Sequence, residues 1–256
     1  MSFVEDVYNA ELGKIHIFCV GQAGFVIKNS EGKLLGIDLY LSDYVEKVEG
    51  NIGFKRLLPK IAAPEELKLD VVIATHFHGD HYDYDAMPGL MINEMTRLYV
   101  AKDCKEMVLQ QKISLDRTSF VSPGDFYRQA GFSIRFIKCD HGDGAPLAVG
   151  VILETDGKRF LFVGDSCLRM DWKMEYLQDG EIDVMIAPIN GQYGNLNEAE
   201  CAKLGYILNA KMIIPCHYGM FALHMGLPGI FYNEMCSKYP KNRFRLMCQG
   251  ECYTLE

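Results

Sequence analysis

Residues 75–81 read Thr-His-Phe-His-Gly-Asp-His, directly after the apolar run Val71-Val-Ile-Ala74. Three imidazoles and a carboxylate at the exit of a buried strand constrain the chain more than any other feature, because the fold must bring those side chains to one point. Neutral imidazole nitrogen and carboxylate oxygen suit Zn²⁺, Mn²⁺ and Fe²⁺, whereas a closed structural zinc site draws on thiolates, and this cluster has none. His76 and His78, two apart, converge on one ion at the mouth of a strand. Asp80 and His81, beyond a turn at Gly79, reach a second. A His-rich surface loop is the plainer alternative, but three of the chain's seven histidines fall here in order behind a strand.

Two catalytic ions need about seven or eight ligands, since such sites hold about three protein ligands per metal besides water. The cluster supplies His76, His78, Asp80 and His81. Three more polar groups end apolar runs: His141 after 132–137, Asp165 after 159–163, and His217 after 211–214. Each alone reads equally well as a hydrogen-bonded core residue; their recurrence alongside the first cluster makes them ligand candidates. The expected cofactor is a pair of divalent metal ions, zinc or manganese.

The order of these residues resembles the metallo-β-lactamase superfamily, in which H-x-H-x-D-H is followed by a later His, an Asp or Cys, and a last His. The resemblance implies that His76, His78 and His141 bind the first metal, that Asp80, His81 and His217 bind the second, and that Asp165 bridges them. Aspartate at the bridging position resembles the hydrolase branches rather than the antibiotic-degrading lactamases. Gly164-Asp-Ser166, Ile182-Asp-Val-Met185 and Leu208-Asn-Ala-Lys-Met-Ile-Ile-Pro-Cys-His-Tyr218 are similar to the L-ascorbate-6-phosphate lactonase group. That likeness implies an α/β fold of four layers, αββα, with the metals along one edge of two packed sheets.

Local patterns agree with such a fold. Apolar runs at 14–20, 24–28 and 34–39, broken by turn residues, read as consecutive strands. The strand at 69–74 is echoed by 182–187, which suggests two similar halves. Segment 197–208 has helical spacing with acids near its start, where the helix dipole favours them. A helix is expected at 103–112, with hairpin strands at 132–138, 147–155 and 159–163.

Residues 1–256 read as one domain, with no linker or low-complexity tract dividing them. Hydrophobic residues make up 49%, enough for a large core, yet no apolar run approaches the ~20 residues that span a bilayer. Neither a signal peptide nor a membrane partner is expected. The nine cysteines form no C-x-x-C pair and read as reduced thiols of a cytoplasmic protein, with Cys139 and Cys216 as alternative ligands. A net charge of −8 argues against a nucleic-acid partner. A small-molecule substrate is expected, and a homo-oligomer is left open.

The expected function is metal-dependent hydrolysis, in which a hydroxide held between the ions opens a small cyclic ester such as a sugar-acid phosphate lactone. Asp80 doubles as proton acceptor, and Tyr218 or His224 is the candidate donor to the leaving group. Asn190, Tyr193 and Asn195 form a candidate substrate loop with His224, while Arg169 and Lys173 are candidates for a phosphate. Plain packing, a simple turn and a solvated helix face account for these residues equally well, and His16 reads as the polar face of a strand. The alternatives are a phosphodiesterase or another ester or thioester hydrolase with the same metals. From a different class comes a nonenzymatic metal- or nucleotide-binding protein, which a missing ligand would favour.

Overall fold

The computed structural model describes residues 2–223 and 226–255. From the start of the chain, β1 (Ile15–Gly21), β2 (Gly24–Lys28) and β3 (Leu34–Ile37) form an antiparallel meander. β4 (Val71–Ala74), β5 (Arg97–Ala101) and β6 (Thr118–Val121) then extend it in parallel. The second half repeats the plan. β7 (Phe126–Gln129), β8 (Phe132–Lys138), β9 (Val149–Thr155) and β10 (Lys158–Phe162) are antiparallel, and β11 (Val184–Pro188) and β12 (Met212–Cys216) continue in parallel. β13 (Cys252–Leu255) returns to pair with β1, so the sheets have seven and six strands.

Alternation along the strands explains the layering. In β10 and β11, Phe160, Phe162, Val184 and Ile186 enter the core between the sheets, while Leu161, Met185 and Ala187 face outward. Because successive strand side chains point to opposite faces, a strand apolar at every position must be covered on both. The helices Glu198–Ile207 and Pro228–Lys238 supply that cover here, through Leu204, Phe231 and Met235. Val7, Met87, Leu90 and Val108, from three other helices, join the core around the first sheet. The result is the expected four-layer αββα sandwich of two similar halves.

Some details differ from expectation. The helix expected at 103–112 is shorter, Lys105–Gln110 after one tight turn, and it ends where Lys112 takes φ +56°. His16, expected on the polar face of a strand, is buried in β1 with its ring nitrogens 3.0 Å from Thr254 Oγ1 and 2.7 Å from Glu11 O. It therefore fastens β13 to β1. All nine cysteines are free, and among the described residues no helix is long and apolar enough to cross a membrane.

Strand direction gathers one set of loops. β1, β3 and β4 run the same way in the first sheet, as do β8, β10, β11 and β12 in the second. The exits of β3, β4, β8, β10 and β12 meet along one edge, joined there by Val149 N–H donating to Thr75 O at 3.0 Å.

The helix Glu198–Ile207 lies close enough to β12 that a Cβ on Gly205 would come 2.7 Å from Ile213 Cγ1. Gly205→Ala should therefore lower stability by about 1–3 kcal/mol, the usual cost of overpacking a filled core. Chemical denaturation checks this, and an unchanged midpoint would mean that the helix can ride off the strand freely.

Candidate metal centre

His76 follows β4, His141 follows β8, Asp165 lies just past β10, and His217 follows β12. His78, Asp80 and His81 come from the loop after β4. Gly79 lets that loop pass beneath the helix Tyr44–Glu49, since a Cβ there would lie 2.8 Å from Tyr44 Cδ1.

Two donor sets result. His76 Nε2 lies 2.9 Å from His78 Nδ1, which lies 3.2 Å from His141 Nε2. In the second set, His217 Nε2 is 3.4 Å from both Asp80 Oδ2 and His81 Nε2. Asp165 Oδ2 lies between them, 3.0 Å from His217 Nε2, 3.4 Å from His81 Nε2 and 3.9 Å from His141 Nε2. Zinc–nitrogen bonds of about 2.0–2.1 Å in a tetrahedron set ligand atoms about 3.3–3.4 Å apart, close to these spacings.

The chemistry of the donors fits cations as well. Burial, reinforced by the neighbouring His81, holds His76 well below its ordinary pKa, so its ring is neutral. His78 and His141 are likewise lowered, first by burial. A neutral imidazole has one N–H, and that of His76 can serve Thr75 Oγ1, 3.2 Å from Nδ1. With that tautomer His76 Nε2 presents its lone pair to the site, and the neutral rings of His78 and His141 can each turn a lone pair to the same point.

The second set carries the opposite balance. Burial opposes charge on Asp165, yet His217 and His81 override it and hold the carboxyl well below the usual carboxylate range. Asp80 is lowered in the same way, chiefly by His81 and then His217. Burial also opposes charge on His217, but Asp165 and Asp80 raise it to about 9. His81 is pushed well above its ordinary value, against its burial, by Asp165, Asp38 and Asp80. Protons on these two rings stand where a cation would.

Several residues outside the expected set hold the donors in place. Asp38 Oδ2 lies 2.9 Å from His81 Nδ1 and accepts from Thr75 Oγ1 at 2.8 Å, which fixes the ring so that Nε2 points into the site. Asp38 ends the apolar strand β3 as His76 and Asp165 end theirs, and that shared pattern is the signal that could have found it. Gln22, in the β1–β2 turn, donates from Nε2 to Asp80 Oδ2 at 2.8 Å, and the same nitrogen lies 3.1 Å from His217 Nδ1. Its flanking glycines mark a turn but give no hint of this role. Cys139 and Cys216 are outside the donor groups; the Cys139 thiol donates to the backbone oxygen of Asp165.

The remaining candidates divide. Asn195 Nδ2 donates to Asp165 Oδ2 at 2.9 Å and to Asn190 Oδ1 at 3.1 Å, so this pair positions the shared carboxylate. Tyr193 borders a cavity of about 660 Å³ that opens onto the donors. Tyr218 does not line that cavity: its hydroxyl donates to Met247 O at 2.7 Å, which removes it as a proton donor to substrate. Arg169 is also elsewhere, bonded to Asp140 and Asp171, and Lys173 is exposed on the short helix beyond it, so neither can meet a phosphate in the cavity. His224 lies outside the described residues.

Residues 16–217 match the description of a beta-lactamase superfamily domain. The chain belongs to this superfamily. A UPF0173 metal-dependent hydrolase from Enterococcus faecalis is 26% identical over 179 residues, covering 66% of this chain and 77% of the relative. A probable L-ascorbate-6-phosphate lactonase, UlaG, from Shigella boydii is 22% identical over 84% of this chain and 73% of its own. The solved structure of a possible metal-dependent hydrolase from Veillonella parvula shares the fold, with a TM-score of 0.78 at 18% identity, covering 95% of this chain and all of that one. The superfamily member described here is a metal-dependent hydrolase, and its His/Asp cluster suits metal binding.

Two outcomes are expected. Asp38→Asn should weaken metal affinity by about 10–100-fold, the usual effect of losing a carboxylate behind a ligating histidine, as competition with a chromogenic chelator would read. Metal uptake at pH 7 should release protons, because His217, with a pKa of about 9, is protonated in the metal-free protein and must lose that proton to donate a lone pair. Affinity then falls as pH is lowered from about 9. In the metal-free protein the His217–Asp165 pair works the other way: its stabilisation is complete below the ordinary histidine value of 6.5 and lost as pH rises through about 9. Calorimetry in buffers of different ionisation enthalpy counts the protons, and none released would contradict this charge assignment.

Proposed function

We propose that the chain is a two-metal hydrolase that opens a small cyclic ester. His76, His78 and His141 would hold one divalent cation, Asp80, His81 and His217 a second, with Asp165 joining the two. The observation that carries this reading is a single atom: Asp165 Oδ2 is within 3.9 Å of His141 Nε2 in one set and 3.0 Å of His217 Nε2 in the other. Zinc suits the imidazole nitrogens of this donor set, and manganese its carboxylate oxygens.

Bound cations of this kind lower the pKa of water from 15.7 toward about 7 and polarise a carbonyl oxygen. The chain's own groups do the rest. Asp80, ionised and steadied by the Gln22 amide, accepts a proton from the attacking water and returns it to the alkoxide as the ring C–O bond breaks. One water is consumed and a hydroxy acid leaves. Asn195 keeps the Asp165 carboxylate turned toward both donor sets, and Asp38 keeps His81 in one ring orientation.

The ester class is supported by the likeness to the lactonase relative over most of the chain, and a small substrate by the size of the cavity. The nine free thiols support a cytoplasmic location.

The test is hydrolysis of unsubstituted γ- and δ-lactones by protein loaded separately with Zn²⁺ and Mn²⁺. His76→Ala and Asp165→Ala should each lose bound metal and cut turnover by about a thousandfold, equivalent to ~4 kcal/mol of transition-state stabilisation. Lactone hydrolysis that persists in variants without metal would sink the reading.

A further inference from the structure

The cavity that opens onto the donor sets has a lining of two unlike kinds. One part of the lining carries His78, Asp80, His141, Asp165 and His217; another is apolar, with Val45, Ile52, Phe54 and Tyr193. Phe54 is buried against Phe221, with ring centroids 5.8 Å apart, and the Tyr193 ring stands 6.1 Å from it. Ile52 is 62% exposed and Tyr193 57% exposed, two large apolar side chains bordering the opening. Water-exposed apolar surface beside a reaction site gains free energy when a ligand covers it.

The apolar part is firmly held. Val45 belongs to the helix Tyr44–Glu49, and the chain just before it is pinned by Asp83, which accepts from Leu41 N at 2.8 Å, Ser42 N at 2.7 Å and the Ser42 hydroxyl. Phe54, Val45, Tyr40, Met220 and Phe221 form their own apolar cluster behind it.

Away from the donor sets, the charged side chains lining the cavity are of one sign. Glu49 and Asp143, both exposed, stand at its rim, and among the described residues no Lys or Arg lines it. The cations nearest in sequence are engaged elsewhere: Lys47 with Asp85, Lys55 with Glu46, and Arg56 with the oxygens of Ser42 and Leu58. A phosphate or carboxylate on the substrate's outer end would lose water and meet two carboxylates without a counter-charge.

Resting on the hydrolase reading above, we propose that this cavity selects an uncharged ester carrying an apolar alkyl or aryl substituent, seated against Ile52, Phe54 and Tyr193, and that it rejects analogues with an anionic substituent.

Three lactones with one ring test this: γ-butyrolactone, its γ-pentyl derivative, and a derivative whose five-carbon chain ends in carboxylate. Burying a methylene is worth about fourfold, so even partial burial of the tail should give the pentyl lactone a kcat/KM at least about tenfold above the other two. The double variant Ile52→Ser/Tyr193→Asn alters exposed side chains, and asparagine tolerates the positive φ of +55° at 193, so folding is not at stake. It should bring the pentyl-to-unsubstituted ratio close to one, and Phe54→Ala should do the same. Glu49→Gln/Asp143→Asn should raise kcat/KM for the carboxylated lactone alone. Calorimetric binding of heptanohydroxamic and acetohydroxamic acids to the metal-loaded protein gives a readout without turnover.

Lactone hydrolysis with no preference for the pentyl tail, or with the carboxylated tail preferred, would overturn the selectivity and leave the hydrolase reading intact. A tenfold preference for the longer hydroxamate without hydrolysis of any lactone would overturn the reaction and keep the selectivity. Neither hydrolysis nor preference would overturn both.

Discussion

Five imidazoles and three carboxylates, all but His78 nearly withdrawn from water, share one small volume at the edge of the two sheets. Such a cluster is costly to assemble in any protein, because polar groups taken out of water must find partners of the right sign. Here His76, His78 and His141 crowd ring nitrogens together with one proton per neutral ring, while His81 and His217 draw protons because Asp38, Asp80 and Asp165 crowd round them. Both imbalances have one remedy, positive charge at two neighbouring points. The glycine beneath the Tyr44 helix, the turn that presents Gln22 and the self-bonded loop behind Asn195 all serve to keep the donors where that remedy works.

The two halves contribute unequally to this arrangement. The first half brings a whole loop, with four donors after β4, and the second brings single residues at three strand exits. β11 is the counterpart of β4 in the repeated plan, yet it leads to the loop that carries Asn190 and Asn195, which holds a donor rather than providing one. Both halves bind, and both also steady: Asp38 and Gln22 in the first, Asn195 in the second.

The donors were legible because each is a polar residue ending an apolar strand, a pattern that survives without any knowledge of what pairs with what. Asp38 obeys the same pattern but stands alone after β3, far ahead of the histidine cluster, so spacing gives it no company. Gln22 is beyond such reading, since its amide matters only once β12 lies beside the β1–β2 turn. Tyr218 and Arg169 fail for the converse reason: adjacency in sequence to His217 and Asp165 says nothing of side-chain direction, and Met247, Asp140 and Asp171 claim them. Long apolar strands and the capped helix after Asn197 were plain from periodicity. The helix Phe3–Asn9 carries a readable Ser2–Glu5 capping box, whereas β13 is short and is defined by its pairing with the distant β1.

The Gln22 amide touches a histidine 195 residues further along the chain. Every donor group draws on segments that are strangers in sequence, in a protein whose cysteines form no cross-links. Closing loops of that length costs chain entropy that the contacts at the centre must offset. A cation held there then acts as a staple: it ties the two halves together at their common edge, binds the folded chain alone, and makes the stability of the whole sandwich depend on the supply of free metal.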